Sequence, residues 1–542
     1  MTFNIHAGFA KSLSLVFVLI LVACSGGESR VEKGNAEGIL HFANGTEPQT
    51  LDPHVSTGKP ESYIQDSLFE GLISLNPFTL EPEPGMAERW EISDDGRIYR
   101  FYIRDDAKWS NGDPLTAKDF EWSWWRALQP ALGNLYVYML YAVENAEAYA
   151  TGETEDFTEV GVKALDGNVL EVTLAEPTPY FLQLLNHHAT FPLHRETLES
   201  YGSPTSRFSP WDRPDRMVTN GAFVLKEWIL NRRISVEKSQ TYWDKENVAL
   251  NGVIFYPIEN ITTAERMFRS GQVHRTEDMP LDKIPQYRDA QDPSLRLEPY
   301  LATYFYRFNT EKAPFNDVRV RKALAMTVDR DLLVSTLMQG AAEAAYAITP
   351  PGTLGYNPPK LFSFDPDLAR QLLAEAGYPG GEGFPEFEIL FNTHESHRKI
   401  AVAIQQMWKE HLNIDVTLVN QEWKVYLDTV TEKNYDIARA GWVGDYVDPN
   451  SFLDMWITDG GNNRTSWSNL EYDRIVLRET PKIFDQIERF KKFDAAETIL
   501  MESMPILPIY TYYTKRLITP NAQGMPSNML DIYNYKYISL EQ

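Results

Sequence analysis

A strand–helix–strand pattern in the C-terminal half of this 542-residue chain restricts it to a small set of folds. Apolar runs at 387–391 and 414–419 predict two strands. The residues between them predict a helix with one apolar face: Ile400, Ile404, Met407 and Trp408. Strands joined in this way pair in parallel, and a parallel sheet is covered by helices on its faces. The sequence therefore predicts an α/β fold.

Other stretches carry further secondary-structure signals. Residues 316–333 predict one long helix, because apolar residues recur there at every fourth position. Asp365 and Pro366 predict the start of another helix, and Gly377 predicts its end. The chain is long enough for two or three packed units. The other predicted elements are strands at 38–42, 98–103, 170–174 and 234–237, and a helix at 117–127 capped by Thr116.

The N-terminus has the pattern of a secretory signal, predicted to span residues 1–23. The apolar run at 12–22 is too short to cross a bilayer, which needs roughly 20 apolar residues. Small residues follow it and precede Cys24, the single cysteine of the chain, and this arrangement resembles a bacterial lipobox. We therefore expect lipidation at Cys24, and a flexible tether at 24–38 to a domain in the periplasm or at the cell surface.

Composition excludes several classes of partner. The formal net charge of −25 opposes nucleic-acid binding and adsorption to anionic lipid, both of which need basic patches. No run after the signal is long enough to be a transmembrane helix, so the membrane contact expected is the lipid anchor alone. With one cysteine, no internal disulfide can form.

The usual signatures of catalysis are absent from the sequence. There is no G-x-S-x-G elbow, no Walker loop and no H-E-x-x-H helix, and His394 and His397 have the wrong spacing for a zinc protease. The adjacent pair His187 and His188 sits in an apolar run, which favours packing over metal binding. We expect no catalysis, no metal and no cofactor.

The stretch 436–449 is the most informative part of the chain for function. A short strand-like run ends at Gly441, and Asp445 follows among Trp442, Val443 and other apolar residues. A carboxylate in such surroundings is costly unless it is paired. The residues leave three readings open: a solvated loop acid, an internal pair with Arg439, or a carboxylate that receives a cation from outside.

Several motifs, in order along the chain, resemble one known family. The most specific is IRDDAKWSNGDPLTAKDF at 103–120. The others are TLDP at 50–53, VTNGA at 218–222, APFNDVRVR at 313–321, NQEW at 420–423 and the run 438–449. Together they resemble the oligopeptide-binding, OppA-like proteins of bacterial ABC importers, which belong to family 5 of the extracellular solute-binding proteins.

The resemblance implies a two-lobed periplasmic-binding-protein fold of type II, cluster C, with an extra inserted domain and a two-strand hinge. A peptide would be enclosed as the lobes close, and the protein, expected to be a monomer, would deliver it to the permease subunits of an ABC transporter. The implied spans are 39–60, 190–300 and 512–542 for lobe I, 61–189 for the inserted domain, and 301–511 for lobe II.

The resemblance also implies roles for individual residues near the ligand's N-terminus. Asp445 would bind the α-ammonium of the peptide. Gly441 and the backbone of Trp442 and Val443 would pair with its main chain. Trp442 and Trp423 would line side-chain pockets, although core packing is an alternative role for both.

At the other end of the ligand, Asn392 and His397 would lie near its C-terminus. Arg439 would meet the carboxylate of a short ligand, unless it forms an internal salt bridge instead. Glu47 would lie in a loop that flanks the ligand. Other functions that remain open are a non-peptide solute on the same fold, such as an oligosaccharide or a metal chelate, and a secreted hydrolase, which the absence of a nucleophile disfavours.

Three positions depart from the family pattern. Val430 stands where members can carry an arginine for the ligand carboxylate, and Val443 replaces a cysteine that forms a structural disulfide in some members. Residues 276–278, Thr-Glu-Asp, stand where members carry a tyrosine and two asparagines beside the ligand.

The two acids at 277 and 278 predict a preference for peptides that contain Lys or Arg. We expect Ala-Lys-Ala to bind more tightly than Ala-Glu-Ala when the two are compared by isothermal titration calorimetry. Equal affinities would contradict this prediction.

Overall fold

The fold was analysed in a computed structural model, which describes residues 28–166, 168–207, 209–421 and 423–542 apart from the side chains at 395, 423 and 424. The predicted signal peptide and Cys24 lie outside the described residues. Among the described helices, none combines the length and the apolar character needed to cross a membrane. The helices are Arg30–Glu37, Lys59–Leu68, Ala117–Ala127, Ala146–Thr151, Phe181–Leu184, Arg195–Ser200, Ile261–Arg269, Ile284–Asp289, Val318–Met326, Arg330–Thr336, Pro366–Glu375, Glu395–Leu412, Trp423–Thr431, Asn450–Leu453, Leu470–Arg474 and Gln486–Ser503.

The strands form three larger sheets and two small pairs in the described chain. The strands are β1 Ile39–Ala43, β2 Ile73–Leu75, β3 Pro82–Pro84, β4 Ala87–Ile92, β5 Ile98–Ile103, β6 Val162–Ala164, β7 Val169–Thr173, β8 Phe223–Ile229, β9 Arg233–Lys238, β10 Gly252–Tyr256, β11 Arg275–Thr276, β12 Leu295–Phe308, β13 Ala342–Ala344, β14 Glu388–Asn392, β15 Thr417–Gln421, β16 Ile437–Val443, β17 Ile506–Leu517, β18 Ala522–Gln523 and β19 Ser539–Leu540.

The first sheet has the order β11-β1-β10-β9-β8 and draws its strands from two distant parts of the chain. β1 lies between β10 and β11 and pairs with both in parallel, while β8, β9 and β10 form antiparallel ladders. Its apolar side chains share one core with an antiparallel sheet of order β4-β5-β7-β6, so the segment between β1 and β8 folds onto the first sheet.

The predicted strand–helix–strand unit is confirmed in a six-stranded sheet of order β13-β17-β12-β16-β14-β15. β14 and β15 pair in parallel, with Leu390 opposite Val419, and the helix Glu395–Leu412 connects them. Its apolar face packs into the core of this sheet, and Trp408 is fully buried there. The helix at 117–127 is also confirmed, and a capping box between Thr116 and Asp119 fixes its start.

Two sequence-based predictions of local structure were wrong. The helix expected over 316–333 is two helices, because the Thr327 hydroxyl bonds back to the first helix and the Asp329 side chain caps the second at Leu332. The flexible tether expected over 24–38 contains the helix Arg30–Glu37, which starts at a capping box formed by Ser29 and Glu32. Its composition indicated flexibility, but the cap and the packing of Gly34 against β1 order it.

Two long strands, β12 and β17, connect the first sheet to the six-stranded one. They pair antiparallel over most of their length, and Arg275 of β11 bridges to Ile518 just past the end of β17. The register shifts between Pro299, opposite Tyr513, and Thr303, opposite Thr511. Residues 300–302 therefore face a single residue of β17, which is a bulge in the strand pair where the chain passes between the sheets.

A buried ionic cluster ties the C-terminal segment to this crossover. The Asp531 carboxylate lies 2.7 Å from Arg516 Nη1, accepts a hydrogen bond of 2.7 Å from the Tyr63 hydroxyl, and lies 3.7 and 3.8 Å from Lys59 and Arg275. Burial would raise the pKa of Asp531, but Arg516, Lys59 and Arg275 outweigh it and hold that pKa well below its usual range. One carboxylate thus balances cations from three segments.

We expect Asp531→Asn to destabilise the protein by about 3–5 kcal/mol, because it leaves buried Arg275 and Arg516 without their anion. Because the folded pKa is lowered, this stabilisation is present above the unfolded pKa of about 3.9 and is lost as the pH falls below it. Urea unfolding at several pH values measures both effects. The control is Asp367→Asn in an exposed pair with Arg370, where a change within about 0.5 kcal/mol is expected. Equal effects of the two substitutions would contradict the prediction.

Candidate functional site

The strand β16 carries an unpaired edge next to the region singled out by the sequence. On one side it pairs with β12 along its whole length, from Ile437 to Val443. On the other side, pairing with β14 is limited to Ile437 and Ala438. No described strand pairs with residues 440–443 on that side, and Gly441 is exposed. Free main-chain groups on such an edge can bind an extended chain as an added strand.

Asp445 follows this edge by two residues. Gly444 makes the turn possible, because a Cβ there would lie 2.8 Å from side-chain atoms of Leu301 and Phe452. The backbone N–H of Asp445 donates to Ser451 Oγ at 3.0 Å, which fixes the loop. Burial raises the pKa of the Asp445 carboxyl to about 6, although a hydrogen bond from the Tyr138 hydroxyl partly opposes the shift.

The Asp445 carboxylate has no cationic partner among the described residues. The internal pair with Arg439 does not form, since the Arg439 guanidinium donates to Asn392 at 3.4 Å and to the Tyr512 hydroxyl at 2.8 Å. A fully solvated loop acid is also excluded, because Asp445 is partly buried and this burial raises the pKa of its carboxyl. Of the three readings, the structure leaves a desolvated acid without a partner of its own.

Asp445 lines a cavity of about 320 Å³ between the six-stranded sheet and the segments that pack on the first sheet. The segment between β1 and β8 contributes Tyr136, Asn186 and two histidines, and the bulge at 300–302 contributes Tyr300 and Leu301. The remaining walls come from the start of the helix Lys59–Leu68 and from residues near the C-terminus. The six-stranded sheet adds Val443, whose side chain is 48 % exposed.

His187 and His188 pack within this wall. Their ring centroids are 4.1 Å apart, the centroid of the His187 ring lies 4.4 Å from that of the Tyr136 ring, and His188 Nε2 lies 3.2 Å from the Ser56 carbonyl oxygen. Burial lowers the pKa of His188 to about 4 and that of His187 well below its usual range, so both are neutral at pH 7. The described residues form no cluster of metal-ligating side chains.

Asn392, His397 and Arg439 lie in one cluster around Tyr304. The Arg439 guanidinium lies 4.6 Å from the centre of the Tyr304 ring, and the Tyr304 hydroxyl lies 3.5 Å from His397 Nδ1. Burial and the Arg439 charge lower the pKa of His397 to about 3, so this imidazole is neutral. The Arg439 Nε–H has no hydrogen-bond partner in the described chain. The cluster therefore offers a cation whose position is fixed by Asn392, Tyr304 and Tyr512.

Gly441 leaves room for this cluster next to the strand. A Cβ there would lie 3.0 Å from the Tyr512 hydroxyl and 3.2 Å from Arg439 Nη2. Trp442, the next residue, is half-buried, and its indole N–H donates to the Ser451 carbonyl at 2.6 Å. The side chain of Trp423 lies outside the described residues.

The remaining predicted residues have other neighbours. Glu47 accepts hydrogen bonds from Trp228 Nε1 at 2.6 Å and from the Asn231 N–H at 2.9 Å, and it does not line the Asp445 cavity. Val430, where some family members carry an arginine, is fully buried beneath the sheet.

At residues 276–278, the three side chains differ in their surroundings. The Thr276 hydroxyl accepts a hydrogen bond from the Leu517 N–H, and Asp278 lies 2.9 Å from Lys515 Nζ. Glu277 forms neither an ion pair nor a side-chain hydrogen bond with the described residues. Burial and the neighbouring Asp278 raise its pKa.

Sequence reasoning missed the aromatic and charged residues that complete the site: Lys59, Asp66, Tyr136, Tyr300, Tyr304 and Tyr512. The alternating aromatic residues at 304 and 306, and at 510 and 512, were a visible strand signal. Nothing in the sequence placed Lys59, Asp66 or Tyr136 near Asp445, because these contacts span the chain.

Comparison with known proteins agrees with this arrangement. The model of the bacterial extracellular solute-binding proteins, family 5 Middle, matches residues 81–464. The chain belongs to this family. It is 38 % identical over 490 residues to the periplasmic oligopeptide-binding protein OppA of Salmonella typhimurium, covering 89 % of this chain and 88 % of OppA. The predicted family and the two-lobed α/β fold are confirmed.

Two further relatives bear on the ligand. The unliganded open form of MppA, a periplasmic murein tripeptide binding protein, superimposes with a TM-score of 0.81 at 36 % identity, covering 93 % of this chain and 97 % of MppA. The probable deoxycholate-binding periplasmic protein YgiS of Escherichia coli is 35 % identical over 505 residues, which cover 92 % of each chain. The family fold therefore occurs in proteins named for peptide and for non-peptide ligands.

We expect the Asp445 carboxyl of the ligand-free protein to titrate near pH 6, about two units above an ordinary aspartate. Carbon-13 NMR of the aspartate carboxyls, with Asp445→Asn to assign the signal, measures this value. A cationic ligand that pairs with the carboxylate should lower it. A midpoint near 4 without ligand would contradict the buried, unpaired state.

Proposed function

We propose that this protein captures oligopeptides between two closing lobes and delivers them to the permease of an ABC transporter. The observation that carries the proposal is the desolvated Asp445 carboxylate at the end of an open strand edge. The relative OppA, which is named for oligopeptide binding, supports the proposal.

The pairing expected at Asp445 is with the α-ammonium of the peptide. A charge-assisted hydrogen bond between an ammonium and a carboxylate is stronger than one between neutral groups. Removing water from an unpaired carboxylate is costly, and a ligand ammonium offsets that cost. Closure over a peptide is therefore favoured relative to closure without one.

The main chain of the peptide would pair with the open edge at residues 440–443. Every peptide carries the same N–H and C=O groups, so these bonds give affinity without sequence selectivity. Trp442, and Trp423 as expected from the family resemblance, would border pockets for side chains. Glu47 would hold the flanking loop through its bonds to the turn after β8.

The carboxyl end of a short peptide would meet Arg439, with Asn392 and His397 beside it. Arg439 carries a permanent positive charge and its side chain is only partly buried, so it can attract a ligand carboxylate. Val430 is buried and uncharged, and it adds no second cation at this end.

Closure would be a hinge motion at β12 and β17, around the bulge at 300–302. We divide the chain accordingly into lobe I at 39–60, 190–300 and 512–542, an inserted domain at 61–189, and lobe II at 301–511. The three larger sheets support this division, since each has its strands within one of these units apart from the crossing ends of β12 and β17.

We further propose that the protein works as a monomer outside the cytoplasm, held to the envelope by a lipid on Cys24 after removal of the signal peptide. Residues 25–28 then connect the lipidated Cys24 to the helix Arg30–Glu37, which is capped by Ser29. It would bind neither nucleic acid nor a cofactor. Its role would be binding rather than catalysis, since its relatives are solute-binding proteins.

A non-peptide solute is the second candidate, because the relative YgiS is named for deoxycholate. The two candidates differ at Asp445, since a ligand without an ammonium group would leave that carboxylate unpaired. Mass spectrometry of ligands released from the denatured protein separates them. Peptides are expected, and a single discrete non-peptide compound would overturn the proposal.

Asp445→Asn should weaken binding of a tripeptide with a free amine by roughly 2–4 kcal/mol, because it removes one charge of a buried pair. Titration calorimetry with Ala-Ala-Ala measures this loss, with Asp282→Asn, an exposed acid of lobe I, as the matched control. N-acetyl-Ala-Ala-Ala should bind the unmodified protein weakly and should be insensitive to Asp445→Asn. Equal affinities for the free and acetylated peptides would show that Asp445 does not bind the α-ammonium.

A further inference from the structure

A second carboxylate, that of Asp66, faces the same cavity as Asp445. Asp66 lies on the helix Lys59–Leu68, one turn after Ser62, and both residues line the cavity wall. No motif in the sequence points to this acid, which lies almost 380 residues before Asp445 in the chain. In the described chain its carboxylate forms no hydrogen bond and no ion pair.

The nearby ammonium of Lys59 is engaged elsewhere. Its Nζ donates to the Leu530 carbonyl at 3.3 Å and lies 3.7 Å from the Asp531 carboxylate. It also lies over the rings of Tyr63 and Tyr300, at 5.6 and 5.4 Å from their centres. Lys59 therefore belongs to the ionic cluster of the crossover and stays outside any pair with Asp66.

The other polar groups of the wall carry no charge that could balance two acids. His187 and His188 are neutral, and Tyr136, Gln183 and Asn186 are uncharged. The α-ammonium of a peptide would neutralise Asp445 and leave Asp66 without a cation. Burial, together with Asp531, raises the pKa of Asp66 to about 7 although Lys59 opposes the shift, as expected for an acid that lacks its own partner.

We propose that Asp66 selects ligands whose N-terminal residue carries a cationic side chain, such as lysine, arginine or another diamino acid. This inference rests on the proposed function, because it takes the peptide ammonium to be at Asp445. The side chain of residue 1 then begins within the cavity that Asp66 lines. The cavity has a volume of about 320 Å³, so it has room for a lysine or arginine side chain.

Glu277 does not have this role at residue 1. It lies near Gly45, with its Cγ 3.9 Å from the position of a Cβ there, and it does not line the Asp445 cavity. A preference that Glu277 and Asp278 impose would act on later residues of the peptide. The two acidic regions can therefore be distinguished by the position of the lysine.

The test compares Lys-Ala-Ala with norleucine-Ala-Ala, which has the same carbon stem and no ammonium, by titration calorimetry at pH 8, where Asp66 is ionised. We expect the lysine peptide to bind about tenfold more tightly, as for one partly buried ion pair. Asp66→Asn, which preserves the side-chain shape, should bring the ratio close to one. The control Asp282→Asn should keep the full ratio.

Three results would overturn the inference. The first is equal affinity of the two peptides for the unmodified protein, and the second is a lysine preference that survives Asp66→Asn. The third is an equal gain in affinity for Ala-Ala-Lys that also depends on Asp66, which would mean that Asp66 binds the side chain of another ligand residue.

The proposed function fails by a different result. If neither peptide binds, the proposed capture of peptides with a free amine is wrong, and the inference is wrong with it. If norleucine-Ala-Ala binds independently of Asp445, the assignment of the α-ammonium to Asp445 and the inference are wrong, while the capture of peptides stands. If norleucine-Ala-Ala binds in an Asp445-dependent manner without any lysine preference, the role of Asp66 alone is refuted.

Discussion

The pairing of β12 with its two neighbours fixes the geometry of the whole site. The same strand faces β17 on one side and β16 on the other, so its register sets both ends of the cleft. Its bulge at 300–302 turns Tyr300 and Leu301 toward the Asp445 cavity, and Tyr304 lies opposite Gly441 beneath Arg439. A change of register by one residue would turn each of these side chains to the opposite face of the sheet. The crossover therefore both joins the lobes and positions the residues proposed to bind the ligand.

Asp531 and Asp445 show the difference between a charge that stabilises the fold and a charge that is proposed to bind a ligand. Asp531 is surrounded by three cations and a hydroxyl, and its lowered pKa reflects full compensation. Asp445 lacks a cation and has a raised pKa. The first arrangement stabilises the fold at neutral pH, while the second costs free energy until a partner arrives. An acid left in the second state is a functional candidate on physical grounds alone.

The elements that sequence reasoning found were those with local signals. The helix Ala117–Ala127 was predicted from its cap at Thr116 and its apolar face. The β14–helix–β15 unit was predicted from two apolar strand-like runs that flank a segment with helical periodicity. The break within 316–333 was missed, because a side-chain cap at Asp329 outweighed a continuous apolar pattern. The helix Arg30–Glu37 was missed because the composition of residues 24–38 indicated a flexible tether, whereas the Ser29 capping box stabilises a helix there.

Within the site, the family resemblance brought together residues that the structure also brings together at Arg439, Asn392 and His397. It placed Glu47 beside the ligand but did not predict the hydrogen bonds that Glu47 accepts from Trp228 and Asn231. Asp66 carries no sequence signal at all, since its importance arises from a cavity formed by distant segments.

The length of the open edge of β16 also predicts the length of the peptide that would pair with it. From Val443 to Arg439 the strand β16 rises about 13 Å, which is the span of roughly four extended residues. An N-terminus at Asp445 and a C-terminus near Arg439 make the peptide run antiparallel to β16, in the pairing mode with hydrogen bonds perpendicular to the strands. A tripeptide or tetrapeptide would then bring its carboxylate level with the Arg439 guanidinium. Longer peptides would pass this cation, and with Val430 buried the described chain offers them no replacement for it at that position.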